Sequence, residues 1–285
     1  MMKRYLVIGG SGTVGSSLVD QLVHEGRRVR ITTHRKAATG ERDGRTWVYV
    51  DLANGEGIEK AFEAVDRAFI MVPPGFADQH AIASPLIAEA KRRKLEKVVM
   101  MSAMGANAGD TPFRRAEIEL DKSAVPYNVI RPNWFMQNFN TSWVAGIRDE
   151  GKIRLPAGRA KTSFIDARDV AACAARLLTS DDLKGKDFDL TGPEPLDHDA
   201  VARILSQESG RTITYEDIDP DILRHGLLAA GLPADYTEFL LAILGLLRQG
   251  YNERVTGAVK TLLGREPMRF EQYARDYREA WARAA

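Results

Sequence analysis

Tyr5-Leu6-Val7-Ile8, Gly9-Gly10-Ser11-Gly12-Thr13-Val14-Gly15 and Ser16-Ser17-Leu18-Val19-Asp20-Gln21-Leu22-Val23 follow one another without a break. The apolar run predicts a buried strand, the spaced glycines a tight turn, and the last run a helix. Gly9 can take a conformation closed to residues bearing Cβ, Gly12 lets a bulky anion approach the backbone, and Gly15 lets helix and strand pack closely. The N–H groups and positive dipole end of a helix opening near Thr13 then face that anion. In this strand–turn–helix setting, Gly9, Ser11, Gly12, Thr13, Val14 and Gly15 are candidates to hold the pyrophosphate of a dinucleotide. A turn that only packs is the competing reading.

Working outward, β-rich apolar runs alternate with helical patterns. Val29-Arg30-Ile31-Thr32-Thr33, Trp47-Val48-Tyr49-Val50, Ala68-Phe69-Ile70-Met71-Val72, Val98-Val99-Met100-Met101 and Tyr127-Asn128-Val129-Ile130 read as strands. Helices are predicted over 58–65, 79–94 and 111–123, the last with Thr111 as cap and Pro112 in the first turn. This alternation predicts an α/β fold of Rossmann type, a doubly wound parallel sheet with helices on both faces. Beyond Pro132 the rhythm changes. A helix or lid is expected over 134–148, a loop over 151–159, a helix over 166–179 and a last strand over 187–190. Helices are expected over 197–209, 220–230, 234–248, 253–263 and 267–284, with Gly210, Gly231, Gly250 and Gly264 at their ends. The apolar run 239–247 reads as a buried helix, or as a substrate-lining or dimer face. The expected division is a dinucleotide-binding domain of residues 1–133 and 160–195, with a smaller, mostly helical substrate lobe of 134–159 and 196–285 roofing the carboxyl edge of the sheet.

Composition narrows the function class. The 285 residues are 44% hydrophobic and 28% charged with a net charge of +1, so no global field draws the chain to nucleic acid or to an acidic membrane surface. The single cysteine, Cys173, suits a reducing compartment. No apolar run reaches the ~18 residues of a membrane span, and Met1-Met2-Lys3-Arg4 leads into a strand rather than a signal-peptide core. A cytoplasmic monomer or homodimer is expected. The five histidines show no paired spacing and there is no second cysteine, so no metal site is expected.

After the second strand, where the adenosine ribose of a dinucleotide arrives, Thr33-His34-Arg35-Lys36 holds no acid. A carboxylate there would repel a 2′-phosphate, whereas Arg35 can bind it through two parallel hydrogen bonds and Lys36 can add charge. This points to NADP(H); a solvated charge pair is the plainer reading. Asp51 and Leu52 are placed for the adenine, with Asp51 as a turn cap the alternative. Val72 and Pro73 form a stiff wall for the middle of the cofactor. Ser102, at the end of the fifth strand, is placed to orient the nicotinamide ribose or a substrate. Asn133 is placed for the nicotinamide carboxamide, and Trp134, Phe135 and Asn138 for substrate, with core packing the alternative for the hydrophobes. Asp166 reads as a helix cap.

These pieces in this order resemble the NmrA-like branch of the atypical short-chain dehydrogenases/reductases. The resemblance rests on Gly9–Gly15, Arg35, Ser102, 129–138 (Val-Ile-Arg-Pro-Asn-Trp-Phe-Met-Gln-Asn), 164–171 (Phe-Ile-Asp-Ala-Arg-Asp-Val-Ala) and 188–195 (Phe-Asp-Leu-Thr-Gly-Pro-Glu-Pro), and it spans essentially the whole chain. It is nearest to the triphenylmethane reductase, NADPH-dependent quinone reductase and ergot-alkaloid dehydrogenase types. Such a resemblance implies NADP(H) and hydride delivery to a small aromatic or conjugated acceptor; NmrA itself implies the alternative, a catalytically silent NADP(H) sensor. One departure stands out. The superfamily's Tyr-x-x-x-Lys acid/base pair is missing from Asp110–Glu119, which predicts an acceptor such as a quinone, iminium or carbocation that needs little proton help.

Overall fold

The computed structural model describes residues 3–42 and 44–282. In chain order the elements are β1 (Arg4–Val7), α1 (Thr13–His24), β2 (Arg28–Thr33), β3 (Gly40–Arg42), β4 (Arg45–Tyr49), α2 (Ile58–Ala61), β5 (Arg67–Met71), α3 (Gln79–Arg92), β6 (Lys97–Met101), α4 (Pro112–Lys122) and β7 (Tyr127–Pro132). They continue with β8 (Lys152–Leu155), α5 (Ala167–Thr179), β9 (Asp187–Leu190), α6 (His198–Ser209), β10 (Thr214–Asp217), α7 (Pro220–Ala229), α8 (Ala234–Arg248), α9 (Ala258–Leu263) and α10 (Phe270–Asp276). Two units result: Met1–Pro132, Ala167–Asp189 and Thr261–Gly264 form one, and Asn133–Asp166, Leu190–Lys260 and Arg265–Ala285 the other. The chain re-enters the first unit at 167 and leaves it at 190, where the sequence suggested 160 and 196, and it returns there for Thr261–Gly264.

The first unit is built on an eight-stranded sheet in the order β3-β4-β2-β1-β5-β6-β7-β9. Pairings from β4 through β7 are parallel, and β3 folds back antiparallel on β4. The chain winds outward from β1 in one direction and from β5 in the other, which places a topological switch point between them. Leu6, Val7 and Ile8 are fully buried because both faces of β1 are covered. One face carries α1 and α5 packed together, the other α2, α3 and α4. Helix α2 stops at Ala61, short of the expected residue 65, because Ala64 turns left-handed (φ 51°) and delivers Val65 into the core.

In the second unit the expected loop over 151–159 contains β8, which pairs in parallel with β10, a strand the sequence did not suggest. Ile153 and Leu155 point into the core, while outside Lys152 and Arg154 reach Glu216 at 2.9 and 3.2 Å. The expected helix over 134–148 is instead a 3-10 turn, Met136–Asn140, and a π turn, Gly146–Glu150. Thr141 Oγ1 donates to the Gln137 carbonyl and Trp281 Nε1 to the Phe139 carbonyl, so side chains take acceptors that a continuous helix would use. Helix α8 matches its expected limits, yet it buries only a stripe through Thr237, Leu244 and Leu247 and leaves Leu246 half exposed. The expected C-terminal helix is split into α10 and a 3-10 turn, Arg278–Trp281; Arg283 and Ala284 lie outside the described residues. No helix among the described residues is long and apolar enough to cross a membrane.

Candidate functional site

Gly9 adopts φ 72°, and a Cβ there would sit 2.4 Å from Met71 Sδ. Its N–H donates to Thr32 Oγ1 at 3.1 Å and its carbonyl accepts from Gly12 N at 3.0 Å, which closes the turn. A Cβ on Gly15 would lie 2.1 Å from the Gly9 carbonyl oxygen, so α1 can begin against the turn only with glycine there. At Gly12 the nearest atom to a Cβ would be 3.3 Å away. Gly12 caps α1 without a side-chain hydrogen bond, whereas Asp78, Thr111 and Asp197 cap α3, α4 and α6 through side-chain oxygens. The opening N–H groups at Thr13, Val14 and Gly15 therefore face no side-chain acceptor from their own cap, the arrangement that suits a phosphate. Ser11 and Thr13 are exposed beside them, and Val14 is buried as a packing residue.

At the end of β2 the buried Thr33 accepts from Arg35 N at 3.1 Å through Oγ1 and so sets the course of the chain. The Arg35 side chain is exposed and bonds to no group among the described residues. Lys36 behaves differently from expectation. Its Nζ sits 2.9 Å from Glu56 and 4.6 Å from the centre of the Tyr49 ring, and the Glu56 bond raises its pKa. Asp51 Oδ1 accepts from Ala53 N at 2.9 Å, the turn-cap role, while Leu52 and Val72 pack half-buried on the core and Pro73 is half-buried after β5.

Ser102 follows β6, and its backbone N–H donates to the Ile130 carbonyl at 2.9 Å. Its Oγ is buried with no hydrogen bond of ordinary geometry, but it lies close enough to Glu117 to help hold that carboxylate ionised. Burial alone would raise the Glu117 pKa; the bonds from Arg131 and Arg114, with the Ser102 hydroxyl nearby, outweigh it and the pKa is lowered. Helix α4 thus offers a buried carboxylate near Ser102 and holds no tyrosine. Burial likewise pulls Arg131 down, but Glu117 and Asp187 more than offset it and the guanidinium stays firmly charged. His80, at the start of α3, is engaged by Glu119 at 2.7 Å.

In the second unit, Asn133 is not placed as the sequence suggested. Its Nδ2 donates to Ser163 Oγ at 2.8 Å and to the Asn252 carbonyl at 2.9 Å, while its Oδ1 accepts from Trp134 N and Asn252 Nδ2, each at 2.9 Å. The amide is saturated by these four bonds, so no capacity remains for a nicotinamide carboxamide. It fixes residues 250–257, which the sequence assigned in part to a helix over 253–263. There the Asn252 carbonyl also accepts from Ser163 N, the Arg254 carbonyl from Ser163 Oγ, and Thr256 N donates to Thr191 Oγ1, so the backbone bonds sideways. Trp134 stacks on Trp143 with ring centres 6.1 Å apart, and Phe135 bridges to Ile165. Asn138 is half-buried on the same turn, and Asp166 accepts from Gln137 Nε2 at 2.9 Å. Deeper in this unit His198 is fully buried among Phe139, Trp143, Phe164 and Tyr215. Thr32, Glu117 and Ser163 escaped the sequence reading because each acts through a tertiary contact, although Thr32 precedes Thr33, Glu117 lies within Asp110–Glu119 and Ser163 directly precedes 164–171.

A family profile described as "NmrA-like family" matches residues 1–274. The chain is 34% identical over 284 residues to an uncharacterized oxidoreductase, YesF, of Bacillus subtilis, covering 99% of this chain and 98% of that one. It is 31% identical to agroclavine dehydrogenase of Claviceps fusiformis, over 97% and 98% of the two chains. Among solved structures, the triphenylmethane reductase of Citrobacter sp. complexed with NADP(H) superposes with a TM-score of 0.81 at 18% identity, over 96% of this chain and 99% of that one.

Proposed function

Because the chain belongs to the NmrA-like family, we propose that it is an NADP(H)-dependent reductase that passes a hydride to a small conjugated organic acceptor of quinone, iminium or carbocation type. The observation that carries the cofactor reading is the pairing of a closed glycine turn, whose helix start has no side-chain cap, with an unengaged Arg35 just past β2. The residues fit the group: a Cβ at Gly15 would run into the Gly9 carbonyl and displace the turn that offers its N–H groups, and no acid follows β2 to repel a 2′-phosphate. Gly9 to Gly15 would hold the pyrophosphate, Arg35 the 2′-phosphate, Asp51 and Leu52 the adenine, and Val72 and Pro73 the middle of the molecule. When bound, the reduced nicotinamide supplies the hydride.

The chain's own residues define the rest. Ser102 Oγ is buried and finds no hydrogen-bond partner among the described residues, so the hydroxyl is left to engage a ribose or substrate group. That makes Ser102 an orienting group rather than an acid. With no tyrosine on α4, nothing there protonates a carbonyl oxygen, and an acceptor that is already electron-poor matches this chemistry. Trp134, Phe135 and Asn138 supply an aromatic and amide surface suited to a flat acceptor.

The test is acceptor-dependent oxidation of NADPH by the purified protein across quinones, triarylmethane dyes and cyclic iminium salts. Turnover with at least one class, and preference for NADPH over NADH, is expected. Tight NADPH binding without turnover on any member would overturn the reductase reading in favour of an NADP(H) sensor.

A further inference from the structure

We propose that Arg42, seated on Trp47, is the second cation of the adenosine 2′-phosphate site, and so a residue that selects NADP(H); the inference rests on the cofactor reading above. The sequence placed Arg35 and Lys36 in that role. Lys36 is spent elsewhere, on Glu56 and the face of Tyr49. The hairpin of β3 on β4, which pairs Gly40 with Trp47 and Arg42 with Arg45, brings a different cation to the place.

The Arg42 guanidinium lies 4.8 Å from the centre of the Trp47 ring. Its Nη1 donates at 3.2 Å to the carbonyl of Ala38, the last residue of the 3-10 turn that follows Arg35. A cation held over an indole and tied to that turn is preoriented, with other N–H groups left to donate. Arg42 and Trp47 form one wall of a cavity of about 310 Å³ whose other wall is Gly10, Ser11 and Ser16, the phosphate turn and the start of α1. Charge favours an anion. The one acid lining this cavity, Asp20, is neutralised by Arg45 at 2.6 Å, and among the described residues no carboxylate lies within ion-pair distance of Arg42. Trp47 Nε1 is buried and finds no acceptor among those residues. Serine hydroxyls, a guanidinium with no carboxylate partner among the described residues and a backbone turn are the groups that recognise a phosphate monoester on a ribose.

The experiment is titration calorimetry of the full chain with 2′,5′-ADP and 5′-AMP, which differ only in the 2′-phosphate. Arg42→Gln is expected to weaken 2′,5′-ADP by about tenfold and 5′-AMP by less than about twofold, with Lys36→Gln leaving both within about twofold of wild type. If Lys36→Gln takes the loss instead, or if Arg42→Gln weakens both probes equally, the assignment of Arg42 is overturned while the cofactor reading stands. Wild-type protein that binds the two probes alike overturns the cofactor reading and the inference with it. Melting curves of both variants, whose substituted side chains are exposed, check that binding and not folding has changed.

Discussion

Arg131 donates from Nε and Nη2 to the two carboxylate oxygens of Glu117, each at 2.8 Å, with both side chains almost wholly buried. The pair joins β7 to α4, and it is extended by Arg114, 3.0 Å from Glu117, and by Asp187 and Asp189 beside Arg131. A fork-to-fork pair of this kind cannot lose one member cheaply, because the other charge stays in the interior. Glu117→Gln is therefore expected to lower unfolding free energy by about 3 kcal/mol in urea denaturation near neutral pH. The sign with pH follows from the lowered Glu117 pKa. Its contribution is present above the unfolded value of about 4.3 and is lost as pH falls below it, so the variant should show less acid sensitivity in that range. An unchanged urea midpoint would remove the pair from the account of stability.

Gly12 and Gly15 separate binding from folding. A Cβ at Gly15 meets the Gly9 carbonyl oxygen at 2.1 Å and cannot be accommodated without moving the turn. Gly15→Ala is expected to lose roughly 1–3 kcal/mol of stability together with NADPH binding. At Gly12 the backbone is extended (φ −85°) and the contact is 3.3 Å, so Gly12→Ala should melt near wild type yet bind NADPH weakly, because the added methyl occupies space meant for pyrophosphate. Calorimetry with NADPH beside thermal melts tests the pair; a Gly12→Ala protein that binds as wild type would sink the phosphate assignment.

Local patterning carried the sheet. The glycine turn, the runs of buried strand and the helix cap at Thr111 are all short-range signals, and each lies where the residues indicate. The misreadings share a physical cause. Helices α2, α3 and α4 are followed by left-handed Ala64, Lys94 and Ala124 rather than by glycine, so their ends carry no sequence mark. Strands β8 and β10 are short, half polar and some sixty positions apart, and only pairing makes them strands. At the candidate site, the exposed place of Arg35 just past β2 was legible because it follows from position along the chain. The commitments of Lys36 to Glu56 and of Asn133 to Asn252 were not, because the partners lie 20 and 119 residues away.

Asn133→Ala tests the second of these. Removing the amide deletes the bonds to Ser163 and Asn252 that hold residues 250–257 and leaves the partner groups unpaired. Brief trypsin treatment should then cut after Arg254 sooner than in wild type, while NADPH affinity changes by less than about twofold, the difference expected when no ligand contact is removed. A large loss of NADPH affinity with unaltered proteolysis would return Asn133 to the role the sequence gave it.

His198 makes the second unit sensitive to acid. Its ring lies 5.1 Å from Tyr215 and 5.7 Å from Phe164, centre to centre, and neither nitrogen finds a hydrogen-bond partner among the described residues. Burial pushes its pKa down to about 4 against the opposing pull of Asp197 and Asp217, so the native ring stays neutral where a free histidine charges. As pH falls from about 6.5, the unfolded chain takes up a proton that the folded chain refuses, and stability falls with it. By pH 5 the loss is about 2 kcal/mol, and the fall continues until pH reaches the folded value. His198→Phe removes the titrating nitrogens and keeps a flat ring among the aromatics. Its urea midpoint should therefore change less than that of wild type between about pH 7 and about pH 5, a window above the one set by Glu117. Equal losses in both proteins would show that the neutral, buried histidine is not what makes the fold weaken in acid.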